Sequence, residues 1–356
     1  MSKVIDIVKK IRIREIDKNL LVKTQKRLDN LTKPLGSLGR LEEIAKLVVG
    51  ITNKEKPSLD KKVIVTMAGD HGVVEEQVSA YPKEVTPQMV YNFLRGGAGI
   101  NVLAKHVGAK VIVVDMGVAS DLEIKNGLII KKINYGTKNF LKEPAMTRKE
   151  AIASIEAGID VVMDEYKKNG IDIIGTGDMG IGNTTPSSAI VSVFTKEQVK
   201  KVTGRGTGIN DSILENKIKV IEKAIKLHKP DPKDPIDVLS KIGGFEIGGL
   251  VGVILSGAAL KIPVVIDGFI SGAACLIAFA IEPKIGDYII ASHCSVEIGH
   301  KITLDHLGIK PLLNFNMRLG EGTGAALAMS IIEASIKILN EMATFSEAKV
   351  SEKLDE

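Results

Sequence analysis

Six short apolar runs, each ending in glycine or a small polar residue, constrain the fold of this chain more than any other feature. They are Val63–Met67, Val111–Asp115, Ile171–Gly175, Pro263–Ile266, Tyr288–Ser292 and Leu312–Phe315. Most are continuously apolar and rich in β-branched residues, the pattern of strands covered on both faces. Helical stretches lie between them, such as Thr147–Lys167, which opens with the capping box Thr147-x-x-Glu150. Alternating strands and helices predict an α/β fold: a doubly wound, mainly parallel, Rossmann-like sheet. In such a sheet the six strand ends share one edge, and ligands bind there.

The chain ends read differently. Val4, Ile5, Val8, Ile11 and Ile13 keep helical spacing toward Asn30. After a break at Lys33-Pro34-Leu35-Gly36, a second helix runs through Leu41, Ile44, Leu47 and Val48. Gly324 to about Ala343 is helical again, and Ser346–Glu356 reads as a charged tail that frays. These segments predict a small helical domain built from residues 1–60 and 323–356 around a catalytic domain at 61–322.

Composition removes several function classes. A net charge of +5 and the absence of tryptophan leave little with which to bind nucleic acid. Cys275 and Cys294 form neither a disulfide framework nor a zinc-type pair. The charged N-terminus lacks the apolar core of a signal peptide. Gly248–Leu260 and Phe269–Ile281 fall short of the ~18 residues a membrane span needs and read as buried helices, in the core or at a subunit interface. The expectation is a cytoplasmic protein with no membrane partner.

The strand-end loops carry the chemistry. Gly175-Thr-Gly-Asp-Met-Gly180 matches GxGxxG, but no acidic strand end follows about 20 residues later to bind a ribose. An NAD-dependent dehydrogenase is therefore the weaker alternative. The longer run through Gly182-Asn183-Thr184-Thr185 into a helix at Pro186 suits an anion site, and so does Gly204–Gly208 ahead of a helix carrying Lys217. Ligand-free tight turns are the weaker alternative for both. No Walker A run is present, and the spacing of His293, His300 and His306 makes no metal set. His71 is open to substrate or to a structural hydrogen bond. Glu321, between Gly320 and Gly322, reads as exposed at the ligand edge. It is either a general base with a raised pKa or an acid favoured by a helix N-terminus.

Nine segments resemble one family, nicotinate-nucleotide–dimethylbenzimidazole phosphoribosyltransferase. They are KPLGSLGRLE (33–42), AGDHGV (68–73), VSAYPKEVT (78–86), NFLRGGAGINVLA (92–104), GDMGIGNTT (177–185), GRGTG (204–208), DGFISGAA (267–274), SHCSVEIGH (292–300) and NMRLGEGTGAALA (316–328). The resemblance implies transfer of ribose 5-phosphate from nicotinate mononucleotide to 5,6-dimethylbenzimidazole, with inversion at the anomeric carbon, in cobalamin nucleotide-loop assembly. It implies Glu321 as the base. Gly180, Gly182, Gly206, Lys217 and Ser295 would hold the ribose phosphate, Asp267 and Gly268 would lie near the sugar, and Ser79, Gln88 and Leu319 would line the benzimidazole pocket. The family commonly has glutamate where this chain has Asp178, which keeps the charge and shortens the reach. No cofactor or metal is expected, and the resemblance implies a homodimer. A non-catalytic nucleotide-binding relative is the alternative from outside the enzymes.

Overall fold

The computed structural model describes residues 2–12, 17–123 and 126–351. Six parallel strands form one sheet: β1 (Lys62–Gly69), β2 (Ala109–Gly117), β3 (Leu128–Ile130), β4 (Ile173–Met179), β5 (Val264–Ile266) and β6 (Ile289–Ala291). Their order is β3-β2-β1-β4-β5-β6, that of a Rossmann sheet. The helices are α1 (Lys3–Arg12), α2 (Lys18–Asp29), α3 (Arg40–Thr52), α4 (Val85–Arg95), α5 (Gly99–Val107), α6 (Arg148–Asn169), α7 (Thr184–Thr195) and α8 (Val199–Val202). They continue as α9 (Asp211–His228), α10 (Pro235–Ile242), α11 (Phe245–Ala259), α12 (Phe269–Ile281), α13 (Ile298–Leu307), α14 (Thr323–Glu341) and α15 (Phe345–Ala348).

Strand periodicity explains why both faces are covered. Val63, Val65 and Met67 of β1 enter one apolar cluster with α1, α6, α7, α10, α11 and α12. Ile64 and Ala68, pointing the other way, enter a second cluster with α2, α3, α4, α5 and α14. Helices from the two chain ends meet in this second layer, where α14 packs on α3 and also on β1, β4 and β5. α1 lies on the opposite face, against α6 and α11.

Five points differ from expectation. β4 starts two residues later than its apolar run and continues through Thr176–Met179, so most of the glycine motif is strand and not loop. Leu312–Phe315 makes only a single parallel bridge, His293 to Leu313. β6 ends at Ala291, before His293, and Phe315 is exposed, so no ladder extends. The edge strand β3 went unforeseen because three residues are too few to show alternation. The N-terminal helical stretch comprises two helices, α1 and α2, and Ile13 lies outside the described residues. In the tail, Thr344 and Glu347 build a capping box for α15, and residues 352–356 lie outside the described set.

The capping box at Thr147 and Glu150 is present at the start of α6. α11 and α12 lie in the core, with every α11 residue buried, and no described helix is long and apolar enough to cross a membrane. α11 crosses α6 almost backbone to backbone. A Cβ on Gly252 would lie 2.2 Å from the Ile155 carbonyl oxygen and 2.8 Å from the Ile159 nitrogen. Helix propensity alone makes Gly252→Ala stabilising by about 1 kcal/mol. The crossing reverses that sign: the expected result is a loss of ~1–3 kcal/mol, read from the urea midpoint.

Candidate active site

The sheet order reverses between β1 and β4, and the chain leaves these neighbours toward opposite layers. That divergence opens a crevice at the carboxyl edge. A cavity of about 420 Å³ occupies it, lined among others by Ser79, Asp178, Gly182, Gly206, Gly268, Ser295 and Leu319. Seven expected site residues, from separate segments of the chain, thus share one wall. Asn183, Thr184, Thr207, His293, Glu297 and Arg318 join them.

One end gathers two glycine loops, a helix start and a lysine, groups suited to an anion. α7 begins at Thr184 without a side-chain cap; Thr185 N–H donates to the Gly182 carbonyl and Pro186 has no N–H, so its first turn offers a ligand the Thr184 amide. Asn183 donates from Nδ2 to Asp178 Oδ2 at 2.9 Å, and Lys217 Nζ donates to Thr184 Oγ1 at 2.7 Å. Lys217 reaches inward from α9 and is 1% exposed. Burial pushes its pKa down to about 8, against the pull of the Glu297 carboxylate. A Cβ on Gly206 would stand 2.8 Å from Thr184 Oγ1 and 3.5 Å from Lys217 Nζ. The two glycine loops therefore converge on one lysine, although the whole of α7 separates them in the chain.

Carboxylates cluster at the other side. Glu321 sits in the left-handed region (φ 64°), between Gly320 and Gly322 that do the same. The turn lies directly on β4: Glu321 N–H donates to the Asp178 carbonyl at 3.2 Å, and Thr66 Oγ1 donates to the Glu321 carbonyl at 3.0 Å. The absence of a side chain at Gly177 permits this, since a Cβ there would lie 2.3 Å from the Glu321 oxygen. Contrary to expectation, Glu321 is buried, at 5% exposure. Its Oε2 accepts from Ile100 N–H at 3.0 Å, at the start of α5. Burial raises its pKa, and the Ile100 bond opposes that rise.

Asp267 carries a structural duty: its two oxygens accept from Gly322 N–H (3.1 Å) and Ala325 N–H (3.0 Å), so it caps the start of α14. Burial pushes its pKa up to about 7 despite these donors. Asp178 is raised well above the usual carboxylate range, first by burial and then by Asp267, and its Oδ1 has no hydrogen-bond partner.

Several other expected residues stand apart from the cavity wall. Gly180 packs on β1, where a Cβ would be 2.3 Å from the Gly69 oxygen. Lys217, Asp267 and Glu321 lie behind the wall, and Gln88 is exposed on α4. His71 makes the structural bond that was one of its two readings, Nε2 to Glu246 Oε1 at 2.7 Å. Burial lowers its pKa, but the charge and hydrogen bond of Glu246 outweigh that, and the net shift is upward. The sequence held a signal for this pair, because Glu246 is the one charged residue in the apolar α11. His300 accepts from Ser295 N–H at 2.9 Å and is pushed down to about 3 by burial and by His293, so a neutral ring holds the Ser295 turn. Among the described residues, no three histidine, cysteine or acidic groups converge as a metal set.

Known proteins resemble this chain in sequence and fold. A family profile described as phosphoribosyltransferase matches residues 13–350. The nicotinate-nucleotide–dimethylbenzimidazole phosphoribosyltransferase of Geobacter sulfurreducens is 58% identical over 341 residues, which is 96% of this chain and 97% of that protein. The enzyme of the same name from Chloroflexus aggregans is 57% identical over 341 residues, 96% of each chain. A crystal structure of the Thermus thermophilus enzyme of that name superposes with a TM-score of 0.90 at 40% identity, covering 95% of this chain and 100% of the other.

The lowered pKa of Lys217 sets a pH dependence for anion binding. A lysine displaced downward is charged below about 8 and neutral above it, so affinity for a phosphate monoester falls as pH rises through that value. The limiting slope is about tenfold per pH unit for one linked proton. Calorimetric titration from about pH 7 to 9 measures this, and Lys217→Met is expected to weaken binding and flatten the profile.

Proposed function

The chain belongs to the phosphoribosyltransferase family of the nicotinate-nucleotide–dimethylbenzimidazole enzymes, and from that membership we propose how its own residues carry the reaction. The donor is nicotinate mononucleotide and the acceptor is 5,6-dimethylbenzimidazole. The products are α-ribazole 5′-phosphate and nicotinate, used in cobalamin lower-ligand assembly. The phosphate sits at the α7 N-terminus between Gly182, Gly206 and Lys217, with Ser295 across from it. The ribose lies over Gly268 and Asp178, and the acceptor ring packs beside Leu319 and Ser79.

Glu321 removes the acceptor's imidazole N–H proton. The freed nitrogen lone pair attacks the anomeric carbon as the glycosidic C–N bond breaks. That bond's electron pair returns to the pyridinium nitrogen, which leaves as neutral pyridine. A cationic leaving group needs no proton, so a single base balances the step. Attack opposite the leaving group converts the β-nucleotide to the α-product, and charge at the anomeric carbon develops as in glycoside transfer. Holding two rings in line at one carbon supplies much of the rate.

The observation that carries this reading is the Glu321 turn: a buried carboxylate of raised pKa directly behind Leu319 on the cavity wall. Asp178, one methylene shorter than the glutamate the family commonly has, is held by a hydrogen bond from the Asn183 amide. We propose further that residues 61–322 form the catalytic unit flanked by helices of 1–60 and 323–356, and that the protein works as a cytoplasmic homodimer.

Incubating the protein with nicotinate mononucleotide and dimethylbenzimidazole, and following nicotinate release by chromatography, tests the reaction. Glu321→Gln preserves the acceptor for Ile100 N–H but removes the base. It should keep donor affinity within about threefold while turnover drops ~10²–10⁴-fold; near-normal turnover would remove Glu321 from the mechanism. Because the base must be ionised, the acid limb of the wild-type rate profile should lie above the ordinary glutamate pKa and vanish in the variant.

A further inference from the structure

We propose that Arg318 selects the donor by its ring carboxylate, so that the site discriminates nicotinate mononucleotide from nicotinamide mononucleotide. The inference rests on the reaction proposed above and adds a specificity determinant to it. A nicotinate nucleotide is anionic at both ends, and the phosphate end is already served by the glycine loops and Lys217. The ring carboxylate needs a cation of its own, or at least a wall that does not repel it. Among the described lining residues the charged groups are Asp178, Glu297 and Arg318. Two of these are carboxylates, 5% and 7% exposed, and both disfavour a second anion. His293 offers no charge, because burial lowers its pKa. That leaves Arg318 as the cation of the wall.

The placement of Arg318 supports the assignment. It is exposed at the cavity, beside Leu319 and three residues before Glu321. Its loop is anchored where Val296 N–H donates to the Met317 carbonyl at 3.2 Å. Arg40, Arg148 and Arg205 each pair with a carboxylate of this chain, whereas no described carboxylate pairs with Arg318. A planar guanidinium matches a planar aromatic carboxylate with two parallel hydrogen bonds, which a neutral carboxamide cannot return in kind.

The test compares kcat/KM for the two donors, with dimethylbenzimidazole as acceptor, in wild type, Arg318→Gln and Arg318→Lys. The intrinsic difference between the two leaving groups is common to all three proteins and cancels when their preference ratios are compared. A charge-assisted pair contributes roughly tenfold to a hundredfold, and solvent screening at the mouth places the effect near the lower figure. Arg318→Gln should therefore lose about tenfold with nicotinate mononucleotide and stay within about twofold with nicotinamide mononucleotide. Arg318→Lys should fall between, and added salt should shrink the wild-type preference. Equal losses with both donors would assign Arg318 to the phosphate or to the fold and overturn the proposal, as would an unchanged ratio. A wild type that turns over neither donor instead overturns the reaction, and the assignment with it. An unchanged urea midpoint separates these outcomes from unfolding.

Discussion

The contact on which this site depends is the seat of the Glu321 turn on strand β4. The backbone of residues 320–322 crosses the strand at Gly177, near enough that any side chain there would meet the Glu321 carbonyl. Hydrogen bonds from Thr66 on β1 and to Asp178 on β4 then hold the turn across both central strands. Asp267, at the end of β5, holds the same turn from its other side by capping α14. Three strands thus converge on one carboxylate. A non-glycine residue in the left-handed region costs on the order of 1 kcal/mol, a strain that this dense set of bonds sustains. The result is a carboxylate fixed by the sheet itself.

Burial is the second theme. Asp178, Asp267, Glu246 and Glu321 all lie out of water beside the crevice, and two basic side chains of the same region, Lys217 and His71, are buried as well. Such a site lowers stability, because desolvated charge is costly unless paired. The cost is reduced in different ways. Asp267 takes helix amides, His71 takes Glu246, and Lys217 takes a hydroxyl while its pKa falls toward neutrality. Asp178 Oδ1 and Glu297 Oε2 stay without protein partners. Both residues line the cavity. A pocket whose own groups are under-satisfied favours a polar ligand over empty solvent, since the ligand arrives with hydrogen bonds in the right directions.

Much of this was legible in the chain. Continuous β-branched runs announced strands covered on both sides, and the glycine-bearing ends of those runs announced a ligand edge. The two glycine loops were readable as one neighbourhood only in part: each precedes a helix in the chain, and their convergence on Lys217 came from the fold. What misled was local. Gly175-Thr-Gly-Asp178 reads as a loop when strand glycines are taken for flexibility, yet here they are flat ground for another segment. Glu321 reads as exposed because its neighbours are glycines, although those glycines let it fold inward. The edge strand β3 and the lone bridge at Leu313 were too short for periodicity to separate.

Sequence by itself determined the parallel α/β architecture, the strand edge that carries chemistry, and the residue types gathered there, because each follows from patterns among near neighbours in the chain. Tertiary structure alone decided which of those residues meet. Lys217 joins two loops from a helix two segments later, Asp267 also caps α14, and His71 finds Glu246, 175 positions away. Pairings of this kind depend on strand order and helix crossing, which are set by packing across the whole sheet, and no stretch of local pattern encodes them.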